Sequence, residues 1–197
     1  MSRILNMTSL VIFAVAILIG AASAQSSYPA SGSSSAPQTT AKASAGTSSS
    51  DATFLKKAAA GGMAEVELGQ LAVEKGSSDD VKKFGQRMVD DHSKANDKLK
   101  QVAAEEHVTL PQGLNAKDTA TKANLEKLSG NQFDQAYMDD MVRDHKKDVA
   151  EFEKESQSAH SPAVKNFAME TLPTLQDHLK QAKSIAPSQT SKANPGQ

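Results

Sequence analysis

The sequence predicts an all-α protein: a bundle of four long helices made of two helical hairpins, joined by a long connection that contains a short helix. Three observations carry this expectation. Between residues 51 and 185, apolar side chains recur at intervals of three and four in four blocks, the period of helices that each bury one face. Strand-like alternation of β-branched residues is missing from the same span. Gly, Ser and Pro punctuate the blocks at "EKGSSDD", "LSGNQ" and "SAHSPAV", as turns between helices require.

The first 24 residues read as an export signal. A basic Arg3 precedes an apolar run from Leu10 to Ile19, Gly20 breaks it, and Ala22 and Ala24 stand where a signal peptidase reads small side chains. Cleavage is expected after Ala24, leaving a periplasmic or secreted protein. The run is shorter than the ~20 residues a membrane-spanning helix needs, so no stable span is expected after cleavage. Residues 25–50, rich in Ser, Ala and Thr, lack the apolar side chains that offset ordering entropy and read as a disordered linker, as does the tail over 186–197.

The folded domain is therefore expected over residues 51–185. Its first helix runs from Asp51, read as the N-cap, to Lys75, with Gly76 ending it. Ser77 or Ser78 caps the second helix, whose stripe is Val81, Phe84, Met88, His92, Ala95, Leu99 and Val102. After the break "HVTLPQGLN", the run "AKDTATKANLEKL" makes a short helix. The third long helix starts near Gln132, carries Met138, Met141, His145, Val149 and Phe152 on one stripe, and has Asp134 to complement its N-terminal end. Ser161 caps the fourth, with Pro162 at its first position and Pro173 as an expected kink. Its stripe is Phe167, Leu175, His178, Ala182 and Ile185.

Charge and residue types exclude several functions. With 22 basic and 23 acidic residues interspersed, the chain has no concentrated cationic patch of the kind nucleic acid requires. The absence of cysteine removes disulfides, thiolate metal ligands and a cysteine nucleophile. A phosphate loop after a strand, a nucleophile elbow and a His-Glu-x-x-His helix are also missing.

What remains is a repeated pattern. Met-Val-x-Asp-His occurs twice, placing His92 and His145 on apolar stripes, and a third Asp-His ends at His178. Neighbouring helix residues point about 100° apart, so Asp91 and Asp144 are expected to face an adjacent helix or solvent rather than their own histidines. On the first helix Glu65 shares the face of Phe54, Ala58, Gly61, Leu68 and Ala72, and a carboxylate buried there needs a cation, a donor or a proton. Counted from the hairpin turns at ~1.5 Å per residue, Glu65 and His92 lie about 18 and 22 Å in, and His145 and His178 about 21 and 28 Å in, all near mid-bundle. Met88 and Met141, each one turn before a stripe histidine, are gap-filling core residues or soft ligands for Cu(I). His107 and His160 are expected at the surface, and Tyr137 and Phe133 in the packing.

The blocks "FLKKAAAGGMAEVELGQLA", "VKKFGQRMVDDHSKAN", "FDQAYMDDMVRDH" and "LPTLQDHLKQA", in this order, resemble the exported bacterial family named domain of unknown function 4142, of the ferritin-like superfamily. The resemblance implies a ferritin-like four-helix bundle behind a signal peptide and no known activity. A ferritin-type di-iron centre takes Glu-x-x-His motifs, but the residues three before the histidines are Val89, Val142 and Leu175, so that centre is not expected. Two alternatives stand. Glu65, His92, His145 and His178 form a buried protein-only polar network in a non-catalytic binding or stress-related module of the cell envelope, with an envelope protein as one candidate partner. Alternatively they hold a single transition-metal ion, zinc, copper or nickel by donor type, in a metal-binding protein or metal-dependent enzyme.

The export expectation has a direct check. Intact-mass measurement of protein recovered from outside the cytoplasm is expected to give a chain beginning at Gln25, and a chain retaining Met1 would contradict it.

Overall fold

The computed structural model describes residues 47–186. The expected signal peptide, almost all of the linker and all but Ala186 of the tail lie outside them. The described residues form five helices and no strands: α1 (Ser49–Lys75), α2 (Asp79–Glu105), α3 (Ala116–Glu126), α4 (Gly130–Ser158) and α5 (Pro162–Ile185). Two antiparallel hairpins, α1–α2 and α4–α5, are joined by a crossover that carries the short α3, which is the ferritin-like four-helix bundle the sequence predicts. None of these helices is long and apolar enough to cross a membrane.

The helix ends follow local chemistry. Ser78, Asn115 and Ser161 cap α2, α3 and α5 with their side chains, and Pro162 opens α5. Helix α4 begins two residues earlier than the sequence indicates, at Gly130, whose φ of +57° lies in the left-handed region that glycine adopts without strain. Helix α5 continues past Pro173 to Ile185. His107 is exposed just beyond the end of α2, as expected.

Asp51 and Asp134 correct the sequence reading, and they do so in the same way. The N-cap of α1 is Ser48, not Asp51; Asp51 is fully buried in the first turn. Its carboxylate accepts hydrogen bonds from the backbone N–H groups of His160 at 3.1 Å and Ser161 at 2.8 Å, which belong to the α4–α5 turn. Asp134, on α4, accepts from the N–H groups of Ser77 at 2.8 Å and Ser78 at 2.9 Å, in the α1–α2 turn, instead of serving its own helix end. Each hairpin thus lends one carboxylate to the turn of the other, one at each end of the bundle. The missed signal is tertiary: the turn N–H groups that each aspartate serves lie far from it in sequence.

Small residues set the spacing of α1 and α2. A Cβ on Gly69 would lie 2.7 Å from the Gly85 carbonyl oxygen, and a Cβ on Gly85 would lie 2.7 Å from that of Gly69. The backbones touch there, so both positions require glycine.

The core falls into two apolar clusters. One, toward the α1–α2 turn, includes Leu68, Phe84, Met88, Tyr137, Met141 and Ala182. The other, toward the α4–α5 turn, includes Phe54, Leu99, Phe152, Val164, Phe167 and Leu175. On every long helix one polar residue falls between the clusters: Glu65 between Ala59 and Leu68, His92 between Met88 and Leu99, His145 between Met141 and Phe152, and His178 between Leu175 and Ala182.

The Asp51 clamp generates a stability prediction. Burial pushes its carboxyl up, but hydrogen bonds from Ser161, Ser48 and His160 outweigh that and hold it below its ordinary 3.8. A depressed folded pKa stabilises the fold above the unfolded value and is lost as pH falls through the folded one. Asp51→Ala is therefore expected to cost about 1 to 3 kcal/mol in urea unfolding at pH 7, by taking the charged acceptor away from the N–H groups of the α4–α5 turn. The difference between the two proteins should shrink as the pH is lowered below the ordinary carboxylate range.

Candidate metal centre

Four helices deliver one side chain each to the layer between the apolar clusters. His145 and His178 are fully buried, Glu65 is 3% exposed and His92 6%. The imidazole centroids form a close triangle, with sides of 5.7 Å for His92 to His145, 5.4 Å for His92 to His178 and 5.3 Å for His145 to His178. One nitrogen from each ring lies within 4.8 Å of the other two.

Hydrogen bonding fixes which nitrogens are free. Nδ1 of His145 is 3.0 Å from the carbonyl oxygen of Met141, one turn earlier on α4. A carbonyl only accepts, so Nδ1 carries the proton and the neutral ring has its lone pair on Nε2. Nε2 of His178 is 3.0 Å from Oδ2 of Asp91. Burial pushes Asp91 up, but hydrogen bonds from His178 and Arg87 hold it below its ordinary value and therefore ionised at neutral pH, so Nε2 of His178 donates and the lone pair is on Nδ1. Nε2 of His145, Nδ1 of His178 and Nε2 of His92 are all buried with no hydrogen-bond partner among the described residues.

The surroundings favour neutral rings. Burial holds His92 well below the ordinary 6.5, with the neighbouring imidazoles adding to the effect, and holds His145 at about 4. Burial also lowers His178, which Asp91 partly opposes. Neutral rings at His145 and His178 therefore carry buried lone pairs on Nε2 and Nδ1, and Nε2 of His92 is buried in the same layer.

Glu65 is placed differently from the sequence expectation. It belongs to the same layer, but it stands outside the set of mutually close nitrogens. Its Oε1 is 3.7 Å from Nδ1 of His145, the nitrogen already committed to Met141. Glu65 therefore flanks the triangle rather than completing it. Burial raises its carboxyl well above the ordinary 4.5, and Asp148, Asp144 and Asp118 push it further. The direct His145-to-Glu65 hydrogen bond on which a self-sufficient protein network depends is not formed.

Sequence reasoning missed two members of the layer's surroundings. Asp91 does turn away from His92, as its helical position indicates, yet its partner is the histidine of α5; a salt bridge from Arg87 at 3.3 Å also holds it. Tyr137 packs on Phe133 as expected, but its buried hydroxyl has no partner among the described residues, and burial together with the charge of Glu65 raises it well above 10. Asp144 pairs with Lys117 at 3.3 Å, and His160 is exposed in its turn. Met88 and Met141 are built into the apolar cluster.

A cleft of about 720 Å³ reaches the layer from the surface, with Glu65 and His92 in its wall. Its floor is apolar, from Leu99, Phe152 and Phe167, and Lys56 and Lys147 stand among the charged residues that line it.

Residues 36–185 match the protein family described as Domain of unknown function (DUF4142). Among solved structures, the crystal structure of a DUF305 fragment from Deinococcus radiodurans is similar, with a TM-score of 0.62 and 12% identity over 71% of this chain and 96% of that one. At that identity the likeness establishes a shared helical fold and nothing about chemistry. No curated protein matches the chain.

Proposed function

The chain belongs to the family Domain of unknown function (DUF4142), and we propose that this member is an exported binding module of the cell envelope that holds one transition-metal ion between His92, His145 and His178. The observation that carries the reading is the convergence of three buried imidazoles, each with a ring nitrogen that has no hydrogen-bond partner among the described residues, and with one nitrogen of each ring within 4.8 Å of the other two. Imidazole nitrogens bind zinc at ~2.0–2.1 Å, so two that share one ion stand at most about 4.2 Å apart, and loading the site would draw the rings together from their present spacing of within 4.8 Å. The nitrogen-rich set suits zinc, copper or nickel rather than calcium or magnesium.

The neighbours support the same reading. In metal sites the second ring nitrogen is ordinarily held by a carboxylate or a backbone carbonyl, which orients the ring and raises its basicity. Asp91 does this for His178 and the Met141 carbonyl does it for His145. The export part of the proposal rests on Arg3, the Leu10 to Ile19 run and Ala24.

Binding and stability measure this together. Zinc, copper(II) or nickel added to metal-free full chain is expected to bind with a stoichiometry of one by elemental analysis and calorimetry. Because the folded state alone holds the site, the melting temperature should rise with free metal, by a stabilisation of about 2.7 kcal/mol at a hundredfold excess over Kd. His145→Ala or His178→Ala should abolish both effects, and Asp91→Asn should weaken affinity by about 10- to 100-fold through loss of ring orientation. If the wild-type chain takes up no stoichiometric metal and its melting is unmoved, the layer is a protein-only polar network.

A further inference from the structure

Resting on the single-ion reading, we infer that the ion keeps a coordination position open to an external ligand, a small anion, which reaches it through the cleft beside Glu65 and His92. Three protein nitrogens converge, and Glu65, the nearest carboxyl on α1, lies beside the Nδ1 face of His145 rather than among them. Tetrahedral sites in which the protein supplies three ligands leave the fourth to water or another small donor. The cleft leads to this side of the layer, since both Glu65 and His92 line it while His145 and His178 do not.

Charge selects the class of ligand. A divalent ion among three neutral imidazoles leaves its full charge buried, and a buried charge is stabilised by an opposite one. An anionic donor supplies that compensation; the cleft wall itself is mixed in charge, with Lys56 and Lys147 beside Asp118 and Asp148, so the selection comes from the buried ion.

Gly61 provides an independent sign that the cleft is kept open. Glycine inside a helix is less favourable than alanine, and at other α1 positions packing explains it: a Cβ at Gly62 would strike Asn96 Oδ1, and one at Gly69 the Gly85 backbone. Gly61 has no such reason, because a Cβ there would meet nothing within 4 Å among the described residues. It lines the cleft, and any larger side chain at this position would extend into that space.

Full chain loaded with cobalt(II) tests the inference, because the visible spectrum of tetrahedral cobalt responds to exchange of a ligand. Azide is expected to change that spectrum saturably in the wild-type protein. Gly61→Phe, whose ring would fill the cleft from a position free of backbone clash, should retain one cobalt per chain and lose the azide response. Gly61→Leu is the smaller plug should the phenylalanine prevent folding. Cobalt bound with a spectrum indifferent to azide, or an azide response in the plugged variants equal to wild type, would overturn the open position or the route. Failure to bind cobalt at all would instead remove the metal reading on which this rests.

Discussion

A layer of polar side chains across the waist of the bundle, one from each long helix, is the constraint around which the rest of the molecule is arranged. Above and below it the helices pack through ordinary apolar clusters. Sliding any helix by one turn would push an imidazole or a carboxyl into one of those clusters and draw an apolar residue into the layer, at the cost of burying an unpaired polar group. Single buried polar residues set register in coiled coils by the same logic. The two aspartate clamps reinforce it from the ends: Asp51 ties α1 to the α4–α5 turn and Asp134 ties α4 to the α1–α2 turn. Together they lock the axial position of one hairpin against the other.

The same layer is poorly satisfied by the protein alone. Four of its buried polar atoms, on Glu65, His92, His145 and His178, have no hydrogen-bond partner among the described residues. Folded proteins rarely leave such groups unpaired. Here the outward nitrogens of two rings are carefully held while the inward ones are bare, an arrangement that costs stability as a packing device and is useful as a ligand set.

Much of this was legible in the sequence because it is helical. Periodicity places His92, His145 and His178 on buried stripes, and counting residues from the turns puts them at one depth, since the rise per residue is nearly constant. It also indicates that Asp91 turns away from His92. Relations between helices were not legible. No local signal says that Asp91 meets His178, that Asp51 and Asp134 serve turns of the opposite hairpin, or that the Tyr137 hydroxyl has no partner among the described residues. The wheel for α1 is rotated slightly from the expected one: Gly62 is packed and Gly61 borders the cleft. That small rotation is enough to set Glu65 beside the imidazole triangle instead of within it, because inward-facing alone does not fix which neighbour a side chain meets.

The central claim is that three imidazoles share one ion. X-ray absorption at the zinc edge of the zinc-loaded chain measures this most directly, because it counts and distinguishes the atoms around the metal. The account predicts a low coordination number with three imidazole nitrogens at ~2.0–2.1 Å and one further light atom. A spectrum with oxygen neighbours only, or with fewer than three imidazoles, would contradict it.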